Sequence, residues 1–272
     1  MGHGDPVAEP GRGGQGGEID RRCQMRAIGQ NQIQGIGRTA AERALRRLNP
    51  RKVATTKVPV IFEPRAATSL LGHLAGAING ASIARGTSFL KDKNGQAIFA
   101  PAINVIDDPL RRRGLRSRAF DGEGLPTQRR ALIENGVLTG FLLDLATARQ
   151  LKMAPTGTAT RGGSGLPSPS TSNLYLAAGA KTPEQLIAEV GTGLYVTDLI
   201  GMGVSLVTGD YSRGAAGFWI ENGEKTYAVS EITIAGHLLD IFKSLMPGND
   251  LEFRYGTNAP TIRVEGLTIA GV

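Results

Sequence analysis

Two of the chain's four Asn-Gly dipeptides, the two set between apolar runs with strand character, constrain this chain more than any other feature. Asn135-Gly136 lies between Arg130–Ile133 and Val137–Leu143, and Asn222-Gly223 between Phe218–Glu221 and Lys225–Val229. A two-residue hairpin turn whose twist matches paired strands needs positive φ at both central residues, which Asn-Gly supplies at little steric cost. Apolar and β-branched residues flank each dipeptide. The chain is therefore expected to form antiparallel hairpins at both places, far apart in sequence.

Just before the second hairpin runs Val204–Ile220, VSLVTGDYSRGAAGFWI. Alternation through Val204, Leu206 and Thr208 predicts a strand. A break is expected at Gly209-Asp210, continuing through Gly214-Ala215-Ala216-Gly217, before a strand resumes at Phe218. Small residues this dense let two backbones, or a backbone and a ligand, come close. The stretch also holds Asp210, Tyr211, Ser212, Arg213 and the single Trp. It reads either as a backbone-rich binding edge or as a tight, bulged hairpin.

The rest of the chain supplies helices and further strands. Thr39–Leu48 is a short amphipathic helix with Ala40, Ala44, Leu45 and Leu48 on one face, stopped by Asn49-Pro50. Val58–Phe62 is a strand in which Pro59 marks an edge or a start. A helix follows over Ala66–Ile78; its Gly72, Ala75, Gly76 and Ala77 imply that something packs closely on it. Asn104–Asp107 is a strand and Leu145–Leu151 a brief helix. Met153–Ser172 is a long Gly-, Pro- and hydroxyl-rich loop, functional or mobile by its length. Thr182-Pro183-Glu184-Gln185 is a capping box with Pro at the first helical position, and Gly191 closes that helix. Leu194–Ile200 is a strand, Ile232–Leu245 a helix, and Leu251–Arg254, Thr261–Val264 and Leu267–Ile269 are strands, the last two joined by a Glu265-Gly266 turn. The whole is α+β, a largely antiparallel sheet with a few packed helices. Residues 1–35 show neither period and read as disordered or as a segment foreign to the fold.

Composition bounds the function. The net charge of +7 would suggest an anionic partner. However, residues 1–52 hold ten Lys/Arg and five Asp/Glu, leaving 31 − 10 = 21 against 24 − 5 = 19 for the remainder, which is nearly neutral. The run Arg111-Arg112-Arg113, with Arg116 and Arg118, has no interleaved aromatics and reads as a solvated loop, so no nucleic-acid partner is expected. No apolar run approaches the roughly 18 residues that suggest a membrane helix, and the polar first residues, without an apolar core, predict no signal peptide. The lone Cys23 excludes an internal disulfide. His3, His73 and His237 are too scattered to announce a metal site. No G-x-S-x-G, H-E-x-x-H or Walker sequence is present, and Gly162-Gly163-Ser164-Gly165 lacks the strand–loop–helix context of a phosphate loop. His237, in an apolar run, reads as hydrogen-bonded or surface.

From about Ile36 onward the chain resembles the TldD/PmbA family, in its PmbA/TldE branch. The resemblance rests on IGRTAAERAL, VPVIFEP, LLGHLAGAING, FDGEGLPTQRRALIENGVLTGFLLD, GTGLYVTDLIGMGVSLVTGDYSRGAAGFWIENGE and YAVSEITIAG. It implies that residues 36–52 are a remnant of the family's N-terminal domain and 53–272 its C-terminal domain. It also implies a cytoplasmic assembly in which a TldD-type and a PmbA-type subunit enclose a chamber where unfolded peptides are cut at zinc. In the TldD branch the zinc is held by H-E-x-x-x-H on a helix, with Glu as base and a Cys nearer the C-terminus. Here the corresponding helix reads His73-Leu74-Ala75-Gly76-Ala77-Ile78. Leu74 stands at the base position and Ile78 at the second His position, and no Cys follows residue 23.

Three readings follow. In the first, the chain is a partner subunit with no catalytic residue and no cofactor of its own. His73 would be the sole remnant of the ligand set, zinc would sit on the TldD-type catalytic subunit, and Gly209, Asp210, Tyr211, Ser212, Arg213 and Gly214 would bind extended peptide by strand addition. In the second, the chain is a stand-alone hydrolase using Ser212 or Asp210 with Arg213. In the third, it is a non-enzymatic interaction protein. None involves a membrane.

Overall fold

A computed structural model describes residues 30–271. Residues 1–29, most of the segment expected to be disordered or foreign, lie outside it, as do Cys23 and His3. The described chain opens with a helix, α1 (Gln30–Arg46), which takes in the last residues of that segment and belongs to a unit of its own. The body begins at Arg47.

In order, the body contains β1 (Thr56–Phe62), α2 (Pro64–Ala77), α3 (Gly80–Ala84), β2 (Val105–Asp107), β3 (Arg130–Glu134), β4 (Val137–Leu138), α4 (Leu145–Leu151), β5 (Ala159–Thr160), β6 (Ser168–Pro169), β7 (Leu174–Leu176), α5 (Pro183–Ala188), β8 (Thr192–Ile200), β9 (Asp210–Glu221), β10 (Glu224–His237), α6 (Leu238–Ser244), β11 (Met246–Pro247), β12 (Thr257–Asn258) and β13 (Ile262–Ala270). The α+β class holds. Pairings run β1–β8–β9–β10–β13, and β13 returns to β1, so five strands close into a ring. Only β1–β8 is parallel among them. A second sheet is ordered β12–β7–β2–β3–β4, and β5 and β6 form a ribbon inside the long loop. Helix α2 lies between the two sheets, touching β1 and β8 on one side and β7 and β12 on the other. It buries Ala66, Ala67, Leu70, Leu71, Leu74 and Ala77 there. A fully buried Leu contributes about 1.5–3 kcal/mol, so this helix is a main tie between the layers.

Both hairpin turns form as their residues require: φ is 49° and 83° at Asn135-Gly136, and 53° and 78° at Asn222-Gly223. The capping box of α5 is complete, with Thr182 Oγ1 accepting from Gln185 N and Gln185 Oε1 from Thr182 N. Pro59 sits where β1 slips against β13, between Val58↔Leu267 and Val60↔Val264, and the parallel pairing to β8 starts only at Val60. Its missing N–H thus falls at a bulge.

Several expectations fail for identifiable reasons. Val204–Thr208 is not a strand: Val204 makes one bridge to Tyr211, and Ser205 then closes a turn, accepting from Gly209 N through its carbonyl and from Thr208 N through Oγ. The expected break is present at Gly209, which ends the turn at φ 89°, but Asp210–Gly217 is already strand, the first part of β9, where Gly217 serves close contact with β8. Ile232–His237 is strand: β-branched Ile232, Thr233 and Ile234 alternate buried and half-buried, and the helix starts only after His237. Leu251–Arg254 is irregular because Asn258 Oδ1 accepts the N–H groups of Arg254 and Tyr255. Glu265-Gly266 is no turn: β13 continues through it at the bulge, where Glu265 and Gly266 (φ 67°) together oppose Pro59.

Candidate functional site

The stretch Gly209–Gly214 enters the sheet beside α2. Alternation along β9 sends Asp210 and Ser212 to solvent, buries Tyr211 to 1 % exposure and half-buries Arg213. Tyr211 meets His73 of α2 edge-on, with ring centroids 5.9 Å apart. His73 Nε2 and Tyr211 Oη are both buried with no hydrogen-bond partner among the described residues. The turn before β9 closes over the same helix: a Cβ on Gly76 would lie 2.8 Å from Leu206 Cδ1. The small residues of α2 therefore admit this turn.

The backbone of Gly209–Gly214 is committed on both sides. β10 pairs with it from His237↔Asp210 to Thr233↔Gly214. On the other flank Ser212 N donates to Gly203 O at 2.7 Å, Ser205 N to Asp210 O at 2.9 Å, and Gly214 pairs with Ile200. Strand addition at this stretch, expected from the sequence, has no open edge to use, because β10 takes one flank and the Gly203–Ser205 segment the other. What stays accessible is side chain: Asp210 and Ser212, the exposed Ile200 at the end of β8, and the exposed Met202 and Val207 of the segment that follows it.

Neither imidazole in the region serves Ser212. His237 Nδ1 accepts from Leu239 N, so Nε2 carries the proton and donates to Thr208 O at 2.9 Å. This ring caps α6 and pins the turn, as the bland sequence reading of it held. Asp210 accepts from Thr208 Oγ1 at 2.5 Å, and Arg213 Nε donates to Ile200 O. Asp210 and Ser212 thus share one face of β9 while Arg213 lies on the other with Tyr211, and no base among the described residues is hydrogen-bonded to the Ser212 hydroxyl.

The helix positions that the family resemblance aligns with a zinc motif are core. Leu74 and Ile78 have no exposed surface. Among the described residues no group of three or more His, Cys, Asp or Glu is placed to hold a metal ion. The donor set does not fit zinc, which takes three or four protein ligands.

Burial, then the Arg213 charge, lowers the His73 pKa from 6.5 to about 4; burial likewise pushes the Tyr211 phenol up. The unfolded chain therefore takes a proton on His73 below pH 6.5, whereas the folded chain does so only near pH 4. Stability is lost as pH falls through that window. Compared with His73→Gln, the native chain is expected to lose on the order of 1–2 kcal/mol more between pH 7 and pH 4.5, after discounting for partial exposure. Urea unfolding at the two pH values checks this; parallel losses would refute it.

Residues 55–271 match the PmbA/TldA metallopeptidase C-terminal domain family. Metalloprotease PmbA of Escherichia coli O157:H7 is 46% identical over 237 residues, 87% of this chain and 51% of that protein. The Metalloprotease PmbA homolog of Haemophilus influenzae is 40% identical over the same shares of the two chains. The crystal structure of TldE from Thermococcus kodakarensis superposes with a TM-score of 0.79 at 28% identity, over 88% of this chain and 56% of that one. The chain spans about half the length of these curated relatives.

Proposed function

Because the chain belongs to the PmbA/TldD metallopeptidase family, we propose that it acts as a PmbA/TldE-type subunit beside a TldD-type subunit that carries the zinc. The burial of Leu74 and Ile78 carries this reading: the helix that would present a base and a ligand instead holds the two sheets together. The chain's part in proteolysis is to wall a chamber for unfolded peptide. Asp210, Ser212 and the apolar rim of the turn contact the peptide through side chains, with Gly209, Tyr211, Arg213 and Gly214 shaping the wall. The reading places the assembly in the cytoplasm; no helix among the described residues is long and apolar enough to cross a membrane.

Purified alone, the chain is expected to hold less than about a tenth of an equivalent of zinc and to cleave no unfolded peptide. A full-length version mixed with a TldD-type subunit is expected to form a complex that cleaves. Chelator-sensitive cleavage by this chain alone, or stoichiometric zinc in it, would overturn the reading.

A further inference from the structure

The arginine run read from sequence as a solvated loop is part of an ordered surface. Asn173 fastens it, its side chain accepting from Arg116 N and donating to Asp108 O and Ser117 Oγ. The aromatics missing from the local sequence arrive from elsewhere in the chain. Arg111 lies over the Phe253 ring at 3.3 Å, Phe253 meets Tyr175 edge-on at 5.1 Å, and Arg129 donates to Tyr175 Oη at 3.4 Å. Arg116 crosses bare backbone at Gly256, where a Cβ would fall 2.3 Å from its Nε. Segments 107–118, 129–130, 173–175 and 251–256 together carry eight arginines and three carboxylates. Of the three, Asp107 is buried and accepts from Ser172, and Glu252 pairs with Arg254. Apolar surface is exposed in the same place: Leu110 at 58 %, Leu115 at 46 % and Tyr255 at 58 %.

We propose that this face docks an acidic polypeptide segment of a partner protein, one whose carboxylates are interspersed with aromatic or aliphatic side chains. Planar guanidinium groups held in place, Arg111 by stacking, Arg129 by its hydrogen bond and Arg116 against bare backbone, match carboxylates in a fixed fork, with little left to order on binding. Arg with Tyr and Phe is the composition of protein interface hot spots. A polyphosphate strand would satisfy the arginines but leave Leu110 and Leu115 unmatched. This inference stands apart from the peptidase reading, and its test involves no cleavage.

Fluorescence anisotropy with the whole chain uses three probes: a labelled peptide of alternating Glu with Tyr and Leu, its Lys-for-Glu counterpart, and an oligothymidylate of equal negative charge. The acidic peptide is expected to bind, more weakly as salt rises. Arg112→Glu/Arg129→Glu is expected to weaken it about tenfold or more, with the unfolding midpoint unchanged. Phe253→Ala is expected to weaken it without altering the salt dependence. Arg112→Gln/Arg116→Gln provides the same test if the charge-reversed protein folds poorly. The proposal is overturned if oligothymidylate binds more tightly than the acidic peptide, if no probe binds, or if the arginine variants bind the peptide as well as the native chain.

Discussion

Gly217→Ala is expected to destabilise the fold by about 3 kcal/mol or more, at the upper end of the overpacking range. Gly217 lies inside β9, opposite Val196 and Val229. A Cβ built there falls 1.8 Å from Tyr195 O and 3.0 Å from Val196 Cα. Both are backbone atoms of the neighbouring strand, so no side chain can swing away. The methyl group can be admitted only by parting β8 from β9 at the bulge between Val196 and Asp198. Those strands belong to a closed ring, and displacing one seam strains the others. Asp198, next to that bulge, also holds Arg47 and Arg65 at 2.7 Å each. Urea unfolding of the variant measures the loss; a change below about 1 kcal/mol would show that the strands yield easily.

Leu74→Glu is expected to do comparable damage for an electrostatic reason. Leu74 has no exposed surface and sits on the face of α2 that ties the layers together. A carboxylate placed there without a partner costs roughly 4 kcal/mol or more, or protonates. The double variant Leu74→Glu/Ile78→His restores the family's motif letters, yet zinc is expected neither to bind it nor to raise its melting temperature. A zinc-dependent increase in Tm would mean that α2 can rotate its core face outward, and the proposed division of labour between subunits would fall.

Local features of the fold were legible in the sequence because local chemistry decides them. Positive φ fixes the turns at Asn135-Gly136 and Asn222-Gly223, and Thr182 and Gln185 cap α5; Pro59, expected at an edge or a strand start, instead lies inside β1, which pairs on both sides, and its missing N–H falls at a bulge. The turn at Gly209 is present, but Gly214–Gly217 is strand: glycine between strands signals two opposite things, a chain that turns or a neighbour that presses in, and only the partner strand distinguishes them. Ring closure was invisible for a related reason: pairing of β1 with β13 leaves no trace in either strand's own pattern. The buried setting of His73 was equally hidden, since Tyr211 reaches it from β9. The bland reading of His237 could be drawn from its apolar neighbours, although its run proved to be strand before helix. The arginine surface was missed because Phe253 and Tyr255 lie more than a hundred positions from the run they complete.

The ring also has a temporal side. Phe62 pairs with Ile262, 200 positions later in the chain. A ribosome adding about 5–20 residues per second has the early strand waiting ten seconds or more for its antiparallel neighbour. During that interval β1 has only its parallel contact with β8 to come, and its main-chain groups stand open to any other extended chain. Such distant pairing slows folding. The window for misassociation therefore closes only when β13 emerges, and chaperone demand in the cell should track the synthesis of that last strand.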